Sequence, residues 1–236
     1  MAELPSIPCP GATKSAPEAL SSGLYRSLQV DAAGPVTDAA VTLFGNDGFQ
    51  SQRTGDSGTV TLEPVERTTY TVRVGKPGYL TNDTELAITG DVERTVRIER
   101  GAVELRFTVT DDHFDPPRPI ESARIQIGDQ TTLSTLSTGQ QGTSVPVNRE
   151  YEVTITKERY RSVSRTVEVG ESPVNLSASI QREPAVNVTA ANERVVVGES
   201  TSVTVTDEYD EPIADASVSV EGSQAGTTDE EGALSV

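Results

Sequence analysis

Two hundred and thirty-six residues carry 36 acidic against 19 basic side chains, a formal charge of −17, which repels phosphate and argues against a nucleic-acid-coating surface. No apolar run approaches the roughly 18 residues that a membrane helix needs, so no membrane span is expected. Hydrophobic residues make up 34% of the chain, with four Phe and no Trp, which suits several small cores better than one large one.

Residues 1–27 stand apart. Pro5, Pro8, Pro10 and Pro17 favour extended backbone. Leu4, Ile7, Leu20, Leu24 and Tyr25 offer apolar contacts that a solvated tail does not need, so an arm that orders on a partner is weighed against a disordered tail. Residues 1–10 have neither the basic start nor the apolar stretch of a signal peptide. Cys9 is the single cysteine, so no internal disulfide supports the fold.

From residue 28 onward the chain reads as β. It holds 28 Val, 29 Thr and 9 Ile, more than a quarter of all residues, and β-branched side chains suit a pleated, half-buried surface. Nineteen Gly and fourteen Pro punctuate them as turn formers. One pattern recurs three times: a Pro, an Ala four residues on, then an alternating apolar pair. The copies are Pro35–Ala39–Val41-x-Leu43, Pro119–Ala123–Ile125-x-Ile127 and Pro212–Ala216–Val218-x-Val220. A strand precedes the second and third copies at Phe107-Thr-Val109-Thr-Asp111 and Val203-Thr-Val205-Thr-Asp207, while the short Leu28-Gln-Val30 leaves the first strand of copy one open.

A glycine-closed turn follows in each copy, read as Thr54-Gly55-Asp56-Ser57-Gly58, Thr138-Gly139-Gln140-Gln141-Gly142 and Thr228-Asp229-Glu230-Glu231-Gly232. Copies one and two continue with Tyr70-x-Val72-x-Val74-x-Lys76-x-x-Tyr79 and Tyr151-x-Val153-x-Ile155-x-Lys157-x-x-Tyr160. Closing strands are expected at 86–88, 96–98, 163–169 and 174–180. In copy three only 20 residues follow Ala216, so the Tyr-x-Val hairpin and closing strands are expected either from further polypeptide beyond Val236 or from a partner.

These series resemble the carboxypeptidase-regulatory-like (transthyretin-like) Ig-type module over about residues 28–236. The third copy, led by Val195-Val196-Val197-Gly198-Glu199, is similar to bacterial Ig-like domains of adhesins and phage proteins. The resemblance implies spacers, stalks, adhesion or weak carbohydrate contact, and rarely catalysis. Acid excess with 16 Arg but only Lys14, Lys76 and Lys157 resembles proteins of salt-loving archaea, in which molar salt shortens the Debye length to about 3 Å and screens the self-repulsion.

Candidate chemistry is weighed against plainer roles. Gly55-Asp56-Ser57-Gly58 looks like a serine-protease nucleophile string, but it falls on a repeated turn, and His113 is the only possible base. Asp111-Asp112-His113-Phe114-Asp115 has oxygens for a cation, as does Asp207-Glu208-Tyr209-Asp210-Glu211. Solvated acidic loops explain both, and zinc spacing is missing. Carboxylates on hairpin turns do not converge as glycosidase chemistry requires, and Gly45-Asn46-Asp47-Gly48 reads as a turn rather than a phosphate loop. Asn82, Asn175 and Asn187 match glycosylation acceptors at about the chance level. Tyr70, Tyr79, Tyr151 and Tyr160 are read as corner packing in preference to a sugar platform.

The expected fold class is all-β: tandem antiparallel Ig-like β-sandwich modules with an extended N-terminal arm. The expected domains are an arm at 1–27, sandwiches at 28–100 and 101–183, and an incomplete third at 184–236, with Arg182-Glu183-Pro184 as a short, stiff junction. No catalytic, cofactor-binding or metal residue is assigned. The expected role is a non-enzymatic structural protein on a haloarchaeal virus particle, such as a turret, decoration or tail-associated spike. This choice follows because a virion part needs no export leader. The alternatives are an archaeal cell-surface or pilus adhesin, and a carbohydrate-binding appendage of a secreted hydrolase. Expected partners are virion or surface proteins through the arm, further copies of the chain, and a cell-surface glycan.

Overall fold

The computed structural model describes residues 26–46, 48–62, 66–129, 131–192, 194–196 and 198–236. The arm expected at 1–27 therefore lies outside the described residues, apart from its last two positions, which already belong to a strand. Among the described residues there is no helix, and every regular element is a strand.

The first sandwich contains β1 (Arg26–Asp31), β2 (Ala40–Gly45), β3 (Gly48–Arg53), β4 (Thr59–Leu62), β5 (Thr69–Gly75), β6 (Asn82–Ala87) and β7 (Val92–Arg97). They form two sheets, β4-β1-β7 and β3-β2-β5-β6. Alternate residues are buried, as the period-two reading requires: Leu28, Val30, Val41, Leu43, Val72 and Val74 are all at or below 1% exposure. Leu28-Gln-Val30 is thus a full strand, although its lead-in is short.

The second sandwich repeats the plan. Its strands are β8 (Ala102–Asp111), β9 (Arg118–Pro119), β10 (Arg124–Ile127), β11 (Thr131–Ser134), β12 (Gln140–Pro146), β13 (Arg149–Thr156), β14 (Val163–Val169) and β15 (Val174–Ser179). The sheets are β12-β8-β15 and β11-β10-β13-β14. Leu105, Phe107, Val109, Ile125, Ile127, Val153, Ile155, Val169 and Ile180 close one apolar core between them, with Phe107 buried inside it and Tyr151 and Tyr160 packed against it. An all-antiparallel arrangement is expected from sequence, and one pairing in each complete sandwich departs from it. β1 pairs β7 in parallel, and β8 pairs β15 in parallel. The last strand reaches its place by crossing from one sheet to the other instead of through a hairpin, and a crossover is free to bring strands together in parallel.

The third segment holds β16 (Asn187–Ala190), β17 (Ser202–Thr206), β18 (Ser217–Val220), β19 (Ser223–Thr227) and β20 (Ala233–Ser235) in sheets β16-β17-β20 and β18-β19. Val195 and Val196 lie outside any strand and are exposed. β16, further upstream, instead pairs antiparallel with β17. It flanks β17 on the side where β15 flanks β8, but it runs in the opposite direction.

A single hydrogen-bonded cassette explains the threefold motif. In each copy a valine N–H on the leading strand donates to the turn glycine: Val30 to Gly58, Val109 to Gly139 and Val205 to Gly232, all at 2.8 Å. The residue after the motif proline donates back, from Val36 to Val30 (2.9 Å), Ile120 to Val109 and Ile213 to Val205 (both 3.0 Å). A buried threonine hydroxyl ties off the corner. Thr54, Thr135 and Thr228 each accept from the motif alanine N–H at 2.9 Å and donate to the carbonyl of Val36, Ile120 or Ile213.

The residue before each alanine (Asp38, Ser122 or Asp215) sits at φ between 54° and 57°. The glycine has φ near 70° and lies against the proline: a Cβ there would come within 2.9–3.0 Å of Pro35, Pro119 or Pro212. This geometry corrects the register of the second copy. Its cassette threonine is Thr135 and its closing glycine is Gly139, so the repeat is Thr-x-x-x-Gly; the Thr138–Gly142 string is shifted by three residues. The hairpin before the threonine is three residues longer in copy one than in copies two and three, so the local Thr-Gly match to Thr54-Gly55 is out of register.

The chain divides into two compact units, Met1–Gly75 with Thr81–Ile98, and Lys76–Leu80 with Glu99–Val236. The second and third sandwiches share the second unit.

Candidate functional site

The side chains with the richest chemistry in the second unit gather where β8 and β17 end. Each leading strand closes on an aspartate that caps its own loop by accepting backbone N–H groups. Asp31 takes Gly34 N (2.7 Å), Asp111 takes His113 N (3.1 Å), and Asp207 takes Tyr209 N (2.8 Å) and Glu211 N (2.9 Å). In the second and third copies these capped loops are the two acidic segments singled out above, and the fold brings them face to face.

The contact is aromatic at its centre. The His113 ring stacks on Tyr209 with centroids 3.6 Å apart and planes 7° from parallel, and Phe114 meets both rings edge-on. The Arg118 guanidinium covers Phe114 at 3.7 Å, and Arg182 lies 5.0 Å from the Tyr209 centroid. Polar bonds ring this stack. His113 Nε2 pairs with Glu211 Oε1 at 3.0 Å, Tyr209 donates its hydroxyl to Asp111 Oδ1 at 3.2 Å, and Arg182 N donates to the Tyr209 oxygen at 2.9 Å.

Arg182 Nη1 donates to Glu208 O at 2.6 Å, Ala185 N to Glu208 Oε2 at 3.2 Å, and Asn187 Nδ2 to Asp207 O at 2.9 Å. Arg182, Ala185 and Asn187 thus tie the junction to the loop after β17, while Glu183 N donates to Arg159 O at 2.8 Å. Gln181 reaches the other loop, donating to Asp112 Oδ1 at 2.9 Å.

The electrostatics follow from these contacts. Burial pushes the Tyr209 phenol up from its ordinary value. The bond to Tyr160 raises Arg182 further above the range in which it could lose its proton. Hydrogen bonds from Gln181 and Ser179 hold the Asp112 carboxyl below the usual carboxylate range. Asp111 is buried, at 1% exposure, and its Oδ2 has no protein donor. That oxygen is the least satisfied polar atom of the cluster.

The other candidate residues disperse. Ser57 is exposed on its turn and bonds Thr59 at 2.6 Å, far in sequence from His113, whose ring is taken up by Tyr209 and Glu211. Among the described residues no three His, Cys, Asp or Glu side chains are arranged to hold a metal. The four tyrosines share no platform. Tyr70 lies against Gly45, Tyr151 donates its hydroxyl to Pro146 O at 2.9 Å, Tyr79 bridges Arg100, and Tyr160 bridges Arg182 at the junction. The Lys-x-x-Tyr offset is a turn in both copies, closed by Tyr79 N to Lys76 O and Tyr160 N to Lys157 O at 3.0 Å.

Gly45 and Gly48 face each other at the β2–β3 hairpin end, and Asp47 lies outside the described residues. Asn82 Nδ2 donates to Arg97 O, whereas Asn175 is exposed on β15. Cys9 and the apolar residues of the arm lie outside the described residues. Sequence reasoning places both acidic loops and the short junction but misses the stack, because nothing in either loop alone signals that its partner lies 98 residues away.

No family model matches this chain, and no curated protein matches it. Among solved structures it is similar to the Bacillus anthracis TIE protein, at 15% identity and a TM-score of 0.42, covering 90% of this chain and 42% of that one. It is also similar to the minor pilin GBS52 of Streptococcus agalactiae, at 11% identity and a TM-score of 0.33, covering 69% and 97%. A third is the shaft pilin SpaA of Lactobacillus rhamnosus GG, at 12% and 0.29, covering 66% and 97%. The chain spans less than half the length of the TIE protein.

Proposed function

We propose that this chain is a non-enzymatic spacer whose β-sandwiches project from an outer surface in a high-salt setting. The observation that carries the reading is how the junction residues are used. His113, Tyr209, Arg182 and Asp111, the groups best suited to chemistry, are engaged with one another across successive sandwiches. Among the described residues the buried hydrophobic side chains are Val, Ile, Leu, Ala and one Phe. A bonded junction transmits position along a stalk, and aliphatic cores supply stability.

The surface fits the proposed setting. Arg73 clasps Asp83 through two bonds of 2.8 and 2.7 Å, and Arg106 clasps Glu104 through two of 2.7 Å. Both are exposed forks that favour arginine over lysine, matching the 16-to-3 usage. Within this reading the first assignment is a haloarchaeal virus particle carrying the chain as a turret, decoration or tail spike, with the arm at 1–27 as its anchor. An archaeal cell surface or pilus is the second. Immunogold electron microscopy with antibody against the second sandwich tests the assignment. Gold on purified particles supports the first, gold on uninfected cells supports the second, and gold confined to the cytoplasm overturns both.

A further inference from the structure

We propose that Asn175 carries an N-linked saccharide, seated in a polar hollow on the outer face of the β12-β8-β15 sheet. The inference rests on the outer-surface reading above, since N-linked saccharides belong to protein surfaces outside the cell. Three acceptor strings look alike in sequence, Asn82-Asp83-Thr84, Asn175-Leu176-Ser177 and Asn187-Val188-Thr189, and the fold separates them. Transfer needs a free asparagine amide and a hydroxyl two residues on, and on a strand those two side chains share a face. Asn82 Nδ2 is tied to Arg97 O at 3.0 Å, and Asn82 and Thr84 are both half-buried on the inward side of β6. Asn187 Nδ2 is tied to Asp207 O at 2.9 Å. Asn175 and Ser177 are both exposed on β15, and among the described residues neither side chain makes a hydrogen bond.

The strand that carries Asn175 lacks a guard that its counterpart has. Among the described residues β15 is the edge of its sheet, paired with β8 alone, as β7 is paired with β1 alone. The cassette matches Val30 with Val109. The two parallel registers then match Glu93 with Asn175, Thr95 with Ser177 and Arg97 with Ser179. Charged side chains thus guard the edge of β7. β15 contains neither charge nor proline, and its edge is met by the Arg165 guanidinium at the Ser177 carbonyl. A bulky, hydrated saccharide on Asn175 supplies the missing guard.

A seat lies beside the acceptor. Gly142, Arg106 and Asn175 stand in one row across the three strands. Gly142 brings no side chain to fill the row, and an open hollow of about 440 Å³ is lined by Asn175, Arg106, Thr108, Gln140 and Leu136, a volume within the range of small-molecule sites. Leu136 is 59% exposed and offers an apolar surface to a sugar C–H face. The Arg106–Glu104 fork, Gln140 and Thr108 offer donors and acceptors to its hydroxyls. In the transfer, Asn175 Nδ2 forms a bond to the anomeric carbon of a lipid-phosphate-linked saccharide. The bond from that carbon to the phosphate oxygen breaks, the phosphate leaves with the electron pair, and one amide proton passes to a base of the transferase.

Peptide mass spectrometry of the full chain recovered from its native surface tests this. The tryptic peptide 166–182 should carry saccharide mass on Asn175, and the peptides holding Asn82 and Asn187 should carry none. Asn175→Gln and Ser177→Ala alter exposed side chains and leave the fold intact; each, produced in the same host, should abolish the added mass. A bare Asn175 on chain recovered from the outer surface overturns the inference. Added mass that persists in Ser177→Ala, or that lies on Asn82 or Asn187 instead, overturns it too. Chain that gold labelling finds only in the cytoplasm overturns the inference together with the outer-surface reading, so the two failures are told apart.

Discussion

In the second sandwich Ile125 and Ile127 are sealed on both sides, while in the third Val218 and Val220 occupy the same places in the cassette and meet water. The corner is nonetheless alike in both. Thr135 and Thr228 make the same pair of bonds, and Gly139 and Gly232 press on the same proline with φ of 72° and 70°. The cassette therefore sets its own geometry whether or not the sandwich around it is filled. What the second sandwich adds is the apolar burial contributed by β13, β14 and β15. Local hydrogen bonds determine the shape, and the covering strands supply most of the stability.

The largest expected contrast follows from that division. Ile125→Ala should destabilise the second sandwich by about 2–5 kcal/mol, because it opens a cavity in a sealed core. Val220→Ala should change the third by less than about 0.5 kcal/mol. Denaturant unfolding followed by hydrogen exchange in each sandwich checks this; equal losses would break the comparison.

Next in size is the cassette bond itself. Thr135→Val keeps the shape but leaves the Ala123 N–H and Ile120 carbonyl buried without a partner, a cost of about 1–3 kcal/mol. Thr228→Val should cost less, since Ile213 and Ala216 are only half-buried and water can replace the lost bonds. The two variants, compared in parallel melts, sharpen the comparison at a single atom.

A smaller effect is expected where the two sandwiches meet. Tyr209→Phe removes the hydroxyl that donates to Asp111 and accepts from Arg182 N, and should weaken the junction by about 0.5–1.5 kcal/mol while leaving both cores intact. Burial raises the Tyr209 phenol, so the folded value exceeds the unfolded one near 10. Its contribution is then fully present below about pH 10 and is lost as pH rises through the folded value. Burial raises the Tyr151 phenol as well, so phenolate absorbance should show these two ionising late, and Tyr209→Phe should remove one of the two late ionisations.

The smallest effect belongs to the exposed Arg73–Asp83 fork. Its bond to Arg73 holds the Asp83 carboxyl below the usual range, so its contribution is present above about pH 3.9 and fades as pH falls through the lower folded value. Asp83→Asn should alter acid unfolding slightly and neutral stability hardly at all.

Much of this was legible in the residues. The Pro–Ala spacing located all three cassettes, and the period-two valines located their inner faces, because both signals are local. Parallel pairing of β1 with β7 and of β8 with β15 was not legible, since a crossover leaves no turn signature. β16 was hidden for a different reason: Asn187-Val-Thr-Ala190 is a weaker apolar run than the valines at 195–197, yet its position after the junction is what lets it reach β17. The roles of Asp31, Asp111 and Asp207 emerge only when the caps are seen, because an aspartate ending a strand looks the same in sequence whether it faces water or a neighbouring loop.

The central claim is that the junction holds the second and third sandwiches as one body, so that the chain works by reach. Residual dipolar couplings of the full chain, measured separately for amides of β8–β15 and β16–β20, test this most directly. The account predicts one common alignment tensor for both sets, split into two by Tyr209→Ala. Two distinct tensors in the unmodified chain would contradict it.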